Sequence, residues 1–224
     1  MKVGIFGGTF NPIHYGHLRA AEEVREKIKL DKILFIPSGN PPLKSKDIVD
    51  VRHRYAMTRL ALMKNTHFEL SDIECKQTGK SYTVKTLREL RKFYPERDFY
   101  FILGIDAFLD IPNWWRYEEL VTFTHFIIVS RPGFRFIDLT TSSLIETRKN
   151  DFRKIDNAEI ETYMMTLKGT VTAILMKLTP FEISSTEIRS LVRRNRSIKY
   201  LLPASVESYI IANKLYSKKT RTTR

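Results

Sequence analysis

The chain has 224 residues, of which 42% are hydrophobic and 28% are charged, so it can bury one sizeable core. No apolar run approaches the roughly 20 residues that a membrane-spanning helix needs, and the first apolar stretch is too short for a signal peptide. The single cysteine, Cys75, excludes an internal disulfide, and we expect a cytosolic protein.

The net charge of +13 is concentrated near the C-terminal end. From Arg189 onward the chain has ten Lys or Arg residues and one acidic residue, Glu207, so this part carries +9 and the preceding part +4. Such a stretch could bind nucleic acid, gather small anions or keep the protein soluble. It lacks the interleaved aromatic residues of a single-strand-binding surface, so nucleic acid is not the expected partner and 217–224 is interpreted as a solvated basic tail.

Short apolar runs alternate with helix-like segments, which predicts an α/β fold with a doubly wound, mostly parallel sheet. Apolar residues recur at helical spacing between the first two strands, at Leu18, Ala21, Val24 and Ile28. Further helices are predicted at Val51–Lys64, Tyr82–Phe93 and Tyr117–Phe123. The predicted strands are Lys2–Phe6, Lys32–Ile36, His67–Ile73, Asp98–Leu103, His125–Val129 and Thr172–Leu178.

Region 134–170 differs from the rest of the chain. It is polar and has no clear period until about Ile155, so we interpret it as an insertion that is helical in part between Ile155 and Leu167. There is no internal repeat and no linker. A single domain spanning 1–224 is therefore expected, with a small C-terminal helical part at 184–216.

The stretch VGIFGGTFNPIHYGHL, residues 3–18, carries the first functional signal. A strand followed by Gly7-Gly8 and a helix is typical of a nucleotide loop, because glycine lets the backbone approach phosphates and a helix N-terminus offers free N–H groups. His14 and His17 share a helix face, and Gly16 between them leaves space for both rings to reach a phosphate chain. The alternatives are ordinary capping or surface histidines, or a metal site that has no evident third ligand.

A second signal, FEISSTEIRSLVRRN, lies at residues 181–195. Ser184 and Glu187 match a capping box, which by itself explains those two residues. Ser185 and Thr186 add two more hydroxyls at the helix start, and Arg189 follows on the same face. Three hydroxyls with an aligned arginine exceed what a cap requires, so the stretch predicts an anion site.

These two motifs resemble the signatures of the H-x-G-H nucleotidyltransferase superfamily, the second as its I-S-S-T-x-I-R motif. The resemblance implies a Rossmann-like fold and transfer of a nucleotidyl group, in which an acceptor phosphate attacks the α-phosphorus of ATP and pyrophosphate leaves. It also implies Mg²⁺ held mainly by the ATP phosphates, with no protein metal site. It assigns ATP to Gly7, Gly8, Thr9, Phe10, His14, His17, Gly104, Asp106, Ser184, Ser185, Thr186 and Arg189.

Five further stretches resemble the bacterial nicotinate mononucleotide adenylyltransferases, the NadD family. They are SGNPPLK at 38–44, SYT at 81–83, GID at 104–106, NWW at 113–115 and RPG at 131–133. The resemblance assigns the acceptor, nicotinate mononucleotide, to Lys44, Tyr82, Thr83, Asp106, Trp114 and Arg131. It assigns catalysis to His14, His17, Lys44 and Arg189.

Two residues depart from the family pattern. Leu43 replaces the usual His of the P-P-H-K loop, and Asn11 replaces an Asp found in many members. Three alternatives stay open: nicotinamide mononucleotide as the acceptor, phosphopantetheine as the acceptor, and a nucleic-acid-binding protein that uses the basic end. A homo-oligomer is compatible with the resemblance.

Overall fold

Seven strands form one sheet in the computed structural model, which describes residues 1–41, 47–145, 149–167 and 171–217. The strand order is β3-β2-β1-β4-β5-β7-β6, and every neighbouring pair is parallel except β6 and β7. This confirms the predicted mostly parallel α/β fold. The strands are β1 Lys2–Gly8, β2 Lys32–Pro37, β3 Phe68–Leu70, β4 Asp98–Gly104, β5 His125–Val129, β6 Thr162–Thr166 and β7 Thr172–Met176.

Helices cover both faces of this sheet, as the doubly wound prediction requires. The α-helices of the described ranges are α1 Tyr15–Ile28, α2 Val51–Leu62, α3 Thr83–Phe93, α4 Ile105–Leu109, α5 Tyr117–Phe123, α6 Lys149–Asp156, α7 Ser185–Arg193 and α8 Ala204–Ala212. Two 3₁₀ turns lie at Ile111–Asn113 and Phe136–Thr141. No helix in these ranges is long and apolar enough to cross a membrane.

The core consists of two apolar layers, one on each face of the sheet. Strand β2 shows why: Leu34 and Ile36 belong to one layer, whereas Ile33 and Phe35 belong to the other. Successive side chains of a strand point to opposite faces, so a strand covered by helices on both sides reads as a continuous apolar run. Helices α3 and α5 pack on the first layer, and α1, α2 and α8 pack on the second.

Strand β1 extends beyond its predicted end at Phe6. Gly7 and Gly8 still pair with Ile36 and Pro37 of β2, so the turn begins only after Gly8. The two glycines therefore lie at the carboxyl end of a central strand. In a parallel sheet this is the edge at which ligand loops gather.

The predicted helix between Ile155 and Leu167 is wrong in most of its length. Helix α6 ends at Asp156, and Thr162–Thr166 forms β6, an antiparallel edge strand beside β7. The alternation of half-buried Tyr163 with exposed Met164 and buried Met165 fits a strand with one covered face. Because exposed Met164 is as apolar as its neighbours Tyr163 and Met165, the sequence has no alternation of polar and apolar residues that would mark this strand.

The described residues of this segment, 134–145 and 149–167, contribute buried side chains to the core on one face of the sheet. Phe136, Phe152 and Ile155 are buried in the same apolar layer as Phe101 of β4. The Asp156 carboxylate accepts backbone N–H bonds from Phe136 at 2.8 Å and Ile137 at 3.1 Å, which fixes the start of the segment to its helix. That the segment is an insertion relative to other members stays a prediction.

Replacing Phe152 by Ala tests whether this segment contributes to global stability. Phe152 is 0% exposed, so its loss should lower the free energy of unfolding by about 3–5 kcal/mol in urea titrations. The matched change Met164→Ala, at a side chain 67% exposed, should alter it by no more than about 0.5 kcal/mol. Equal, small effects of both changes would show that the segment packs independently of the core.

Candidate active site

Of the predicted site residues that the structure describes, those that follow β1, β4 and β5 lie at the carboxyl edge of the sheet. Strands β1, β4 and β5 are neighbours, and the residues that follow them include Thr9, Asp106 and Arg131. The chain runs outward from β1 through β2 to β3 on one side, and through β4 and β5 on the other. Ligands bind open α/β sheets at such a switch in strand order.

The turn after β1 is held in place by the buried ring of Phe10. Phe10 adopts a left-handed backbone with φ 45°, is buried, and packs its ring against Phe6, Phe35 and His17. A Cβ added to Gly8 would lie 2.9 Å from this ring, so the close approach of the turn to β1 requires glycine there. Phe10, assigned to ATP by resemblance, therefore supports the loop from the core.

His14 and His17 lie side by side at the start of α1. Their rings stack with centroids 3.7 Å apart, and the His14 backbone N–H donates to His17 Nδ1 at 3.3 Å. Because Nδ1 accepts this bond, the proton of the neutral His17 ring lies on Nε2, which is then a donor. A Cβ on Gly16 would lie 3.1 Å from two atoms of the His14 ring, which supports the predicted need for a glycine between the histidines.

The imidazole of His14 is held in its neutral form. Burial, and to a lesser extent the positive charge of Arg131, lowers the pKa of His14 from 6.5 to about 4. Its Nδ1 atom is buried and has no hydrogen-bond partner among the described residues. An unsatisfied buried polar atom is costly, so such an atom commonly marks a place where a ligand completes the pairing.

Helix α7 is fastened directly to the turn after β1. The Ser185 hydroxyl donates to the Pro12 carbonyl at 2.8 Å, and Arg189 Nη1 donates to the Asn11 carbonyl at 2.9 Å. The two phosphate motifs, distant in sequence, are thus in contact. Arg189 Nε is buried without a partner among the described residues.

The remaining hydroxyls of this motif lie at the helix start. Ser184 is the N-cap of α7, and its hydroxyl accepts the Glu187 N–H at 3.1 Å, as the capping interpretation predicted. The Thr186 hydroxyl oxygen accepts a hydrogen bond from Arg189 Nη2 at 3.3 Å. One terminal nitrogen of Arg189 therefore bonds within α7, and the other bonds to the turn after β1.

Asp106 and Arg131 join the loops that follow β4 and β5. Arg131 Nε lies 3.1 Å from Asp106 Oδ2, and Oδ1 of the same carboxylate is buried without a hydrogen-bond partner in the described part of the chain. A Cβ on Gly104 would lie 2.5 Å from Asp106 Oδ1, so this glycine makes room for the carboxylate. Asp106 does not cap α4, whose N-cap residue is Gly104.

The two tryptophans occupy different environments, and neither lies inside a helix. Trp114 is half-buried against the core, and its Nε1 donates to Asp110 at 3.0 Å. Trp115 is exposed, and its ring centroid lies 4.8 Å from that of Tyr82. The aromatic partner of Tyr82 is therefore Trp115, which the sequence did not single out. Stacking of Trp114 on a substrate ring stays a prediction.

Helix α3 begins where the SYT resemblance places the acceptor. Tyr82 is its N-cap residue and Thr83 its first residue. Ser81 accepts the Asn40 N–H at 3.1 Å and donates its own N–H to the Asn40 carbonyl at 2.9 Å. These bonds hold the start of α3 against the loop after β2. The predicted residues Leu43 and Lys44 of that loop lie outside the described residues.

Asn11 has a structural reason to differ from the family's Asp. Its Nδ2 donates to the Asp47 carbonyl at 2.8 Å, while its Oδ1 accepts from the Tyr216 hydroxyl at 3.0 Å and the Val49 N–H at 3.3 Å. An ionised Asp has no donor for the Asp47 carbonyl. Tyr216 lies 205 residues away in sequence, so no local pattern could have indicated this contact.

No group of three or more His, Cys, Asp or Glu side chains within the described ranges could hold a metal ion. The site instead presents imidazole, guanidinium and helix N-termini around the turn after β1. These groups suit phosphate oxygens. The arrangement can bind a polyphosphate and stabilise the charge that develops when one of its phosphorus atoms is attacked.

Comparison with known proteins identifies the family of the chain. The sequence model of the cytidylyltransferase-like family matches residues 5–191. A relative from Thermoanaerobacter sp. (strain X514), named "Probable nicotinate-nucleotide adenylyltransferase", is 44% identical over 220 residues, which cover 97% of this chain and 95% of the relative. A relative of the same name from Geotalea daltonii is 39% identical over 224 residues, covering 97% and 99%.

The fold is similar to that of Plasmodium falciparum nicotinic acid mononucleotide adenylyltransferase complexed with NaAD. The TM-score is 0.72 at 23% identity, over 96% of this chain and 97% of that chain. At this identity the likeness concerns the fold, whereas the curated relatives match in sequence over nearly the whole chain. The chain belongs to the cytidylyltransferase-like family and, within it, to the family of nicotinate-nucleotide adenylyltransferases.

Proposed function

We propose that this protein transfers the adenylyl group of ATP to nicotinate mononucleotide, giving nicotinate adenine dinucleotide and pyrophosphate in NAD biosynthesis. The observation that carries the proposal is the contact between the two phosphate motifs, made by Ser185 with Pro12 and by Arg189 with Asn11. The names of the relatives, which match over nearly the whole chain, support the choice of acceptor.

The groups around the turn after β1 bind the ATP phosphates. His17 Nε2 donates to an oxygen of the α-phosphate, and neutral His14 completes its own hydrogen bonding on the same phosphate chain. The N-terminus of α7, with Ser184, Thr186 and Arg189, holds the leaving pyrophosphate, because helix N-termini and guanidinium groups favour anions. The reaction rate increases because these hydrogen-bond donors are fixed in position before the reaction begins.

The acceptor phosphate attacks the α-phosphorus, one P–O bond forms as the bond to pyrophosphate breaks, and no covalent enzyme intermediate is needed. Arg131 and Lys44 bind the acceptor phosphate, and Asp106 binds ribose hydroxyls.

Tyr82 and Thr83 present backbone N–H groups of α3 to the pyridine carboxylate, with Trp114 against the ring. Mg²⁺ would be held mainly by the ATP phosphates and would supply charge neutralisation there. We place the reaction in the cytoplasm, where a lone cysteine stays reduced.

The choice of acceptor is tested by comparing three acceptors in parallel. Pyrophosphate release from ATP and Mg²⁺ is measured with nicotinate mononucleotide, nicotinamide mononucleotide and phosphopantetheine. We expect the highest kcat/KM with nicotinate mononucleotide, because the start of α3 favours a carboxylate over an uncharged amide. Preferred turnover of phosphopantetheine would contradict the acceptor while leaving adenylyl transfer intact.

Replacing His17 by Ala should lower turnover about 100-fold, because it removes a fixed donor to the transferring phosphate. The matched control is His67→Ala, an exposed histidine beside β3 at the opposite edge of the sheet, which should turn over at the wild-type rate. Circular dichroism of both variants checks the fold. Wild-type turnover in a folded His17→Ala protein would contradict the role of this ring.

The neutral state of His14 predicts a dependence of stability on pH. The pKa of His14 is lowered from 6.5 to about 4 in the folded protein, so the unfolded chain binds the proton first as the pH falls. His14 should therefore cost the folded state up to about 3 kcal/mol as the pH falls from 6.5 to about 4. Urea unfolding of His14→Gln should show a correspondingly smaller loss over this range. A His14→Gln curve parallel to the wild type would show that the ring is not held neutral by the fold.

A further inference from the structure

Arg54 of α2 is a buried charged side chain outside the groups proposed to bind the substrates. It is 1% exposed and is among the largest fully buried side chains of the described residues. Burial lowers the pKa of Arg54. Arginine keeps its charge even so, because its reference pKa is far above neutral. A buried guanidinium is rare unless its donors are satisfied, so its partners indicate its purpose.

Three backbone carbonyls accept hydrogen bonds from Arg54, one in the turn after β1 and two in the connection between β2 and α2. Nη1 donates to Thr9 at 2.9 Å, Nη2 to Gly39 at 2.9 Å, and Nε to Val49 at 3.1 Å. The planar fork of guanidinium donors can bind three carbonyls in fixed relative positions. An ammonium group at the end of a flexible lysine chain has no such fork.

The loops that Arg54 connects belong to the two halves of the site. Thr9 lies in the turn after β1, next to Phe10, whose ring packs against His17. Gly39 lies in the loop after β2 and precedes Asn40, whose bonds to Ser81 hold the start of α3. Gly39 and Val49 also stand on either side of the sequence that contains Lys44.

We propose that Arg54 is a positioning residue that sets the distance between the ATP loop after β1 and the acceptor loop after β2. This inference rests on the proposed adenylyl transfer, since it concerns how two bound phosphates are brought into line. Misplacement of reacting groups by about 1 Å can cost about 100-fold in rate. The three-way bond thus acts on turnover through the loops and not through contact with substrate.

The matched control for Arg54 is Arg97, another largely buried arginine. Its side chain is 16% exposed, it pairs with Glu69 at 3.2 Å, and it lies just before β4 at the amino edge of the sheet, away from the site. Arg54→Lys and Arg97→Lys should both lower the thermal midpoint. If Arg54 positions the loops, only Arg54→Lys should lower kcat, by about tenfold or more, with KM for ATP changed less than kcat.

A rescue experiment separates positioning from stability. Arg54→Ala leaves room for methylguanidinium, which can restore the bonds to the three carbonyls at millimolar, non-denaturing concentration. We expect it to raise the turnover of Arg54→Ala about fivefold or more and to leave Arg97→Ala and His17→Ala unchanged. If Arg54→Ala does not fold, the kcat of Arg54→Lys decides alone.

The outcomes distinguish this proposal from the proposed function. Wild-type kcat in Arg54→Lys, in a wild-type protein that makes the dinucleotide, would overturn the positioning role only. Both variants are also assayed at the same number of degrees below their own thermal midpoints. If Arg54→Lys then loses no more kcat than Arg97→Lys, the positioning role is likewise overturned. Wild-type protein inactive with every acceptor would overturn the proposed function, and the positioning role with it.

Discussion

Two hydrogen bonds bring together parts of the chain that lie 173 and 178 residues apart, Ser185 with Pro12 and Arg189 with Asn11. Each contributes on the order of 1 kcal/mol net, somewhat more for the charged donor, so their effect on stability is modest. Their effect on geometry is decisive, because they place the N-terminus of α7 against the turn after β1. Both acceptors are backbone carbonyls, so the contact between α7 and the turn depends on the backbone conformation of the turn.

The electrostatics of the site follow from burial of one imidazole. The fold keeps His14 neutral at pH 7, with its pKa lowered to about 4, so the nearby positive charge comes from Arg131 and Arg189. A neutral ring can donate to phosphate without adding to the repulsion between those guanidinium groups. The buried, unpaired Nδ1 of His14 and Nε of Arg189 are the places where a ligand would complete the hydrogen bonding.

Local patterns were sufficient for the parallel sheet, α1 and the cap of α7, because each depends on residues within one or two turns. The edge strand Thr162–Thr166 was missed because its apolar residues, Tyr163 to Met165, occupy both faces without alternation, so only pairing with β7 reveals it. The contacts of Asn11 with Tyr216 and of Arg54 with two loops are set by tertiary packing, which sequence spacing cannot report. The same holds for Trp115, whose ring meets Tyr82 only in the folded chain.

Adenylyl transfer requires attack on the α-phosphorus of ATP, and the fate of a ³²P label shows which phosphorus atom is attacked. Wild-type protein is incubated with nicotinate mononucleotide, Mg²⁺ and ATP labelled with ³²P at either the α or the γ position. We expect the α label in the dinucleotide and the γ label in pyrophosphate. Label from the γ position on the nicotinate product or in free orthophosphate would contradict adenylyl transfer.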